Sequence, residues 1–169
     1  GMEQVPIPPS RVHDPWEKNE PGLGLNRDPE RTPMQWEDAP HFGFSEAEPW
    51  LPVDSRDPRR TVASQREDPR SILTLHRRLL ALRRASPALE IGDYAPVEAE
   101  GDVLAFRRTL GGQRFLVVLN LGATPHELAL AETDRGGTVA LSCSLTREGE
   151  AIGDTVVLEG DEGLVIALP

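Results

Sequence analysis

The sequence predicts a mainly β protein: an antiparallel β-sandwich, preceded by one α-helix and a long irregular segment rich in proline and tryptophan. Three observations carry this expectation. Apolar residues recur with period two from Gly92 onward, and residues 68–86 carry a helical stripe. Ahead of both, residues 1–67 hold 11 of the 16 prolines and all three tryptophans. The division that follows is 1–67 irregular, 68–91 helix and linker, and 92–169 sandwich.

In residues 1–67 proline fixes φ and removes a backbone donor, so no strand or long helix runs through them. Disordered chains are poor in aromatics, so Trp16, Trp36, Phe42, Phe44 and Trp50 predict an ordered segment tied down by packing. In "DPRSILTLHRRLLALRRAS", Asp68 is the expected N-cap and Pro69 suits the first helical position. Ile72, Leu75, Leu79 and Leu82 repeat at helical spacing and make a stripe facing a core. Leu73 and Leu80 widen it, and Arg70, Arg77, Arg78 and Arg84 take the other, solvated faces. Arg83 and Arg84 complement the helix dipole in the last turn, and Ser86-Pro87 stops the helix.

Seven strands are expected, over 94–98, 103–109, 114–120, 126–131, 138–145, 155–159 and 164–168, separated by turns such as Gly111-Gly112 and Arg135-Gly136-Gly137. "TVALSCSL" alternates, with Val139, Leu141, Cys143 and Leu145 on one face, expected to share a core with Phe115, Val117 and Leu119. "FLVVLNL" is apolar on both faces, which marks a central strand covered on two sides. Seven short strands at this spacing indicate a sandwich.

Composition excludes several functions. The 169 residues carry a formal charge of −10, which disfavours nucleic acid and anionic membranes. No apolar run approaches the roughly 20 residues that span a bilayer. The basic residues are 17 arginines and Lys18, a bias read as genome composition. Cys143 is the single cysteine, so a reducing, cytoplasmic setting is the simplest reading, and its alternating strand makes it a buried structural thiol. No signal peptide is visible at the start. Gly1 ahead of Met2 has the form of a cloning scar, with Met2 the expected start.

Catalytic machinery is equally sparse. His13, His41, His76 and His126 have no metal-ligand spacing, so no metal site is expected. No cofactor fingerprint or nucleophile elbow occurs. Glu30, Glu37 and Asp38 crowd "RDPERTPMQW", yet 28 acidic residues make chance clusters unavoidable. Trp16, Trp36 and Trp50 admit two readings: a platform for stacking sugar rings, or packing anchors, the latter preferred.

One longer pattern goes further. "VPIPPSRVHDPWEKNEPGLGLNRDPERTPMQWEDAPHFGF" followed by "PWLPV" resembles the segment after the last barrel strand in α-glucosidases of glycoside hydrolase family thirteen, the oligo-1,6-glucosidase type. "ASQREDPRSILTLHRRLLALRRASPALEIGDY" resembles the final barrel helix and its approach. "DVLAFRR" and "GGQRFLVVLNLG" resemble the first strands of the C-terminal sandwich of those enzymes. Five motifs in order over nearly the whole chain make the resemblance specific.

The resemblance implies a retaining hydrolase whose nucleophile, acid/base and assisting carboxylates lie upstream of any segment matched. No catalytic residue is carried over, so the chain is not expected to be an enzyme as it stands. Arg31, Gln35 and Trp36 would border the sugar pocket from a loop at the barrel's C-terminal face. Departures are Asn26, where glycine is usual, and Glu37, where aspartate usually follows the tryptophan. The expected role is that of a non-catalytic C-terminal portion: a truncated frame, a remnant, or half of a split enzyme whose barrel another chain supplies. The alternative is a free-standing carbohydrate-binding module for α-glucosides. With the barrel absent, the stripe on the helix is expected to pair two chains.

Overall fold

Frequent prolines restrict the first part of the chain to short helical turns. The computed structural model describes residues 2–53 and 57–169. They form two compact units, one up to Thr74 and one from Leu75. Among the described residues before Asp68 there is no strand, and the helices are α1 (Pro15–Asn19) and α2 (Val62–Glu67). Asp14 caps α1, its Oδ1 accepting from the Trp16 amide at 3.0 Å. Thr61 caps α2 by accepting from the Ser64 amide at 3.2 Å. Single 3₁₀ turns at Pro9–Arg11, Asp28–Arg31 and Pro40–Gly43 supply the remaining regular structure of this stretch up to Phe44.

The long helix, α3, runs Ile72–Ala85, so its start differs from the predicted cap at Asp68. A residue before proline is pushed out of the helical region, and Asp68 is extended at φ −91°, ψ 113°. It makes a turn instead, its carboxylate accepting from the Arg70 amide at 2.8 Å and its carbonyl from the Ser71 amide at 3.2 Å. Ser71 then takes the capping role, its Oγ accepting from the Thr74 amide at 3.1 Å. The stripe also departs from expectation. No residue of α3 is buried, and Ile72 and Leu79 are 62% and 43% exposed.

Seven strands follow α4 (Pro87–Ile91): β1 (Asp93–Val97), β2 (Val103–Leu110), β3 (Gln113–Asn120), β4 (His126–Ala129), β5 (Thr138–Ser142), β6 (Thr155–Leu158) and β7 (Gly163–Ala167). All pairings are antiparallel, in one sheet of order β1-β2-β3-β7-β5 and a second of β4-β6. The apolar strand β3 is central, as its two-faced composition predicts. A two-residue turn joins β2 to β3, with Gly111 at φ +56°, a conformation glycine adopts without steric cost. The two sheets face each other across a core of Ala105, Leu116, Val118, Val139, Leu164 and Ile166 from one side and Leu128, Val156 and Leu158 from the other. Helix α4 packs on β2 and β3 and buries Ala88 completely. Gly92 permits this: a Cβ there would lie 2.4 Å from the Ala88 carbonyl oxygen and 2.7 Å from that of Thr109.

The expected face of β5 is corrected by a bulge. Val139 opposes Ile166 and Leu141 opposes Val165, with the register shifting between them. Since Ile166 opposes Leu116 and Val165 opposes Val117, Val139 enters the inter-sheet core while Leu141 joins Val117 on the other face. Val139 is drawn toward the following turn, donating to the Glu150 carbonyl and accepting from the Gly149 amide, both at 2.9 Å. A bulge sends flanking side chains to opposite faces where simple alternation keeps them together. The strand also ends early. Ser142 donates both its amide and its hydroxyl to Glu148 Oε1, each at 2.9 Å, and Leu145 stands at φ +56°. Cys143 therefore lies beyond the strand and is exposed, not a buried thiol; its Sγ accepts from the Gly163 amide at 3.2 Å.

Candidate functional site

Two Asp-Pro dipeptides organise the first unit. Aspartate before proline is a helix-start signal, and both carboxylates, Asp14 and Asp28, are fully buried. Arg27 grips Asp14 with two parallel bonds, Nε to Oδ2 at 2.8 Å and Nη2 to Oδ1 at 2.9 Å, while its amide donates to Oδ2 at 2.8 Å. Asp28 accepts from the amides of His13 at 2.6 Å and Asp14 at 2.9 Å. Arg31 closes the knot, donating Nη2 to Asp28 Oδ1 at 2.6 Å and standing 3.5 Å from Asp14 Oδ2. Such bidentate, charge-assisted bonds are the strong class.

These contacts set the carboxylates' protonation. The bonded guanidinium of Arg27 holds the Asp14 carboxyl far below the ordinary carboxylate range, against the effect of burial. At Asp28 burial is the largest influence and pushes upward. The amides of His13 and Asp14 and the Arg31 guanidinium together outweigh it, so Asp28 too is lowered. Both aspartates are thus charged, bonded structural anions.

From this knot the chain runs into the predicted site. The Gln35 carbonyl accepts from the Val62 amide at 3.0 Å and the Trp36 carbonyl from the Ala63 amide at 2.8 Å, so the start of α2 clamps both residues. The amides of Trp36 and Glu37 both donate to the Phe42 carbonyl, at 2.9 and 3.2 Å. His41 and Phe42, both at φ +53°, and Gly43 at +66° make three left-handed residues in succession. For the first two this is strained backbone of a kind that collects at ligand-binding loops. Glu37 packs against Gly43, where a Cβ would come within 2.8 Å of the Glu37 Cγ.

The predicted site residues thus separate by role. Arg31 is engaged by Asp28, Gln35 is buried, and Trp36 is 48% exposed. Gln35 is therefore held inside the segment. Trp16 and Trp50 are 54% and 60% exposed, so about half of each indole remains open. Ionic staples also hold the segment. Arg11 donates to the carbonyls of Pro49 and Trp50 and to Glu48, and His13 meets Trp50 edge-on at a centroid distance of 4.7 Å. Residue-by-residue reading missed Asp14, Arg27 and Asp28, although the two Asp-Pro dipeptides were a usable signal. Among the described residues no group of three or more His, Cys, Asp and Glu is placed to hold a metal ion.

A staple-bound loop unit and an antiparallel sandwich are together the parts that comparison with known proteins recovers. The family model described as "Alpha amylase, catalytic domain" matches residues 1–92. A domain of unknown function, DUF3459, matches residues 92–165. The chain belongs to the α-amylase family of glycoside hydrolases. Within it, a probable alpha-glucosidase of Rhizobium meliloti (strain 1021) is 45% identical over 95 residues, covering 56% of this chain and 17% of that protein. An oligo-1,6-glucosidase of Halalkalibacterium halodurans is 38% identical over 113 residues, covering 63% of this chain and 20% of that protein. Among solved structures, the alpha-glucosyl transfer enzyme XgtA is 30% identical with a TM-score of 0.84, covering 99% of this chain and 31% of that one. The chain thus spans a fifth or less of the length of these two curated relatives. None of the described helices is long and apolar enough to cross a membrane.

Proposed function

We propose that these 169 residues act as the non-catalytic C-terminal portion of an α-glucosidase-like retaining glycoside hydrolase, in a reducing, cytoplasmic setting. The supporting observation is the order of the two matched families, catalytic-domain sequence over 1–92 and then the sandwich, within a chain that spans so little of its relatives. A retaining mechanism needs two carboxyl groups about 5 Å apart across the glycosidic bond. The buried acids of the first unit, Asp14 and Asp28, are committed to arginine and amide donors and hold no proton to give. In this reading the catalytic carboxylates come from a barrel, in a longer polypeptide or a separate chain. Arg31 and Trp36 border the sugar pocket, with Gln35 behind them.

Complementation tests the proposal. The chain is co-expressed with the remainder of the Rhizobium meliloti relative, cut before the segment equivalent to Met2. Hydrolysis of nitrophenyl α-glucoside by the pair, with none by either part, is the expected result. Turnover by this chain alone, abolished by changing one of its own carboxylates, defeats it.

A second reading concerns partners and rests on the bare stripe of α3. Ile72, Leu79 and Leu80 are exposed and Leu75 and Leu82 half-buried, a run of apolar side chains along one helix. When no barrel covers them, two chains pair through this face. A two-fold contact buries the same patch on both partners and is the commonest oligomer.

A further inference from the structure

Much of the protein's arginine is bound to carboxylate: Arg11, Arg27, Arg107 and Arg147 each hold one at 3.1 Å or less. Helix α3 differs. It carries four arginines and no acidic residue, in a chain with 28 acids. Among the described residues, Arg77, Arg83 and Arg84 make no side-chain hydrogen bond or ion pair, and all three are exposed. Helical spacing sets them around one apolar side chain. Leu80 is 37% exposed, and its surface neighbours three and four positions away are His76, Arg77, Arg83 and Arg84.

The opposite charge gathers at one end of the sandwich. There the loops after β1, β3 and β6 are tied together. The Leu121 amide donates to the Asp102 carbonyl at 2.8 Å, the Asp161 amide to the Gly122 carbonyl at 2.9 Å, and Asn120 Nδ2 to the Glu159 carbonyl at 2.8 Å. Leu121 is left 67% exposed. Glu100, Asp102, Glu159 and Asp161 stand exposed on the same loops. Among the described residues, none of these four carboxylates takes part in a hydrogen bond or ion pair.

Each patch thus has an exposed leucine and unpaired charge of one sign, and each supplies what the other lacks. Laying α3 of one chain directly on α3 of another would bring arginines together, and like charges across an interface are costly. A reciprocal contact avoids this while keeping the two-fold symmetry in which residue i meets j and j meets i.

On the reading that chains without a barrel pair through α3, we propose that α3 of each chain seats on the acidic loop end of a second copy. Leu80 meets Leu121, and Arg77 and Arg84 face Glu100 and Glu159. Salt weakens such a contact, whereas it relieves repulsion between two arginine-bearing helices.

Sedimentation velocity on the full chain tests this with the wild type, an Arg77→Glu, Arg84→Glu variant and a Glu100→Arg, Glu159→Arg variant. All four side chains are exposed, and far-ultraviolet dichroism checks that each variant is folded. The wild type should dimerise, with a dissociation constant that rises several-fold between about 0.05 and 0.5 M salt. Each variant alone should dimerise about tenfold or more weakly. An equimolar mixture of the two should recover wild-type strength, because every contact in the mixed dimer again joins opposite charges. Undiminished dimerisation of the Glu100→Arg, Glu159→Arg variant overturns the loop-end contact and leaves pairing through α3 standing, as does a wild-type dimer that tightens with salt. A monomeric wild type overturns both. Should a variant fail to fold, Leu121→Ser takes its place: weakening of several-fold supports the contact, and an unweakened dimer overturns it.

Discussion

Replacing Val139 by alanine tests the bulge in β5 more sharply than any other single change. Val139 is 1% exposed and lies in the inter-sheet core opposite Ile166. Removing two carbons forfeits about 0.8 kcal/mol each, or ~1.6 kcal/mol. A residual hole of roughly 50 Å³ at about 24 cal/mol per Å³ adds about 1 kcal/mol. The expected loss is therefore about 2–3 kcal/mol. Leu141→Ala should cost on the order of 2–5 kcal/mol as a separate cavity on the opposite face. Magnitude alone does not distinguish the two registers; coupling does. In double-mutant cycles Val139→Ala should couple with Ile166→Val by at least about 0.5 kcal/mol. Leu141→Ala should couple with Val165→Ala and Val117→Ala, and be additive with Leu128→Ala across the core. Urea unfolding followed by far-ultraviolet dichroism reads the sandwich. All three tryptophans precede Thr74, so their fluorescence reports the other unit and serves as an internal control. Coupling of Val139 to Val117, with none to Ile166, would show that β5 runs without the bulge.

The remaining expectations concern the ionic knot and the bare helix. Asp14 and Asp28 have folded-state pKa values below the ordinary value of 3.8, so the unfolded chain binds their protons first as pH falls. Their contribution is fully present above the ordinary carboxylate range and is lost as pH falls through the lowered values. The urea midpoint read by indole fluorescence should therefore drop below about pH 4, whereas Asp28→Asn should start lower and fall less steeply; parallel pH profiles would refute the role of the knot. Light scattering should show a concentrated sample to be dimeric, and Leu75→Glu with Leu79→Glu should dissociate it with the sandwich still folded. A monomeric wild type would exclude pairing through α3.

Much of the sandwich was legible because strands declare themselves locally. Val103, Ala105 and the unbroken "FLVVLNL" carry period and burial in their own side chains, and each of the seven strands overlaps its expected run, although β5 ends early. What was illegible depended on non-local bonds. Nothing in "TVALSC" distinguishes a straight strand from one whose Val139 is drawn to Gly149 and Glu150, yet that one displaced pairing reverses the face of every residue beyond it. The helix start failed for a more local reason. Both Asp68 and Ser71 are good caps, and the choice turned on Pro69 forcing Asp68 out of the helical region.

In the first unit the same logic applies with charge in place of hydrophobicity. The aromatic residues suggested packing because no other apolar signal was present; the structure adds Arg11, Arg27 and Arg31 holding carboxylates and carbonyls. An ion knot has no period, so only its local sign, aspartate before proline, reaches the sequence. With the arginines contributing to the order, the open half of each indole is free for contacts beyond the unit, and its exposure becomes informative. The stripe of α3 teaches the complementary point. Its period is as clear as that of any core helix, yet none of its residues is buried. Periodicity records which side of an element was shaped for cover and leaves open what provides it. Here the bare stripe and the exposed indoles both belong to the region matched by catalytic-domain sequence, and for that reason a barrel partner is the first candidate to cover them.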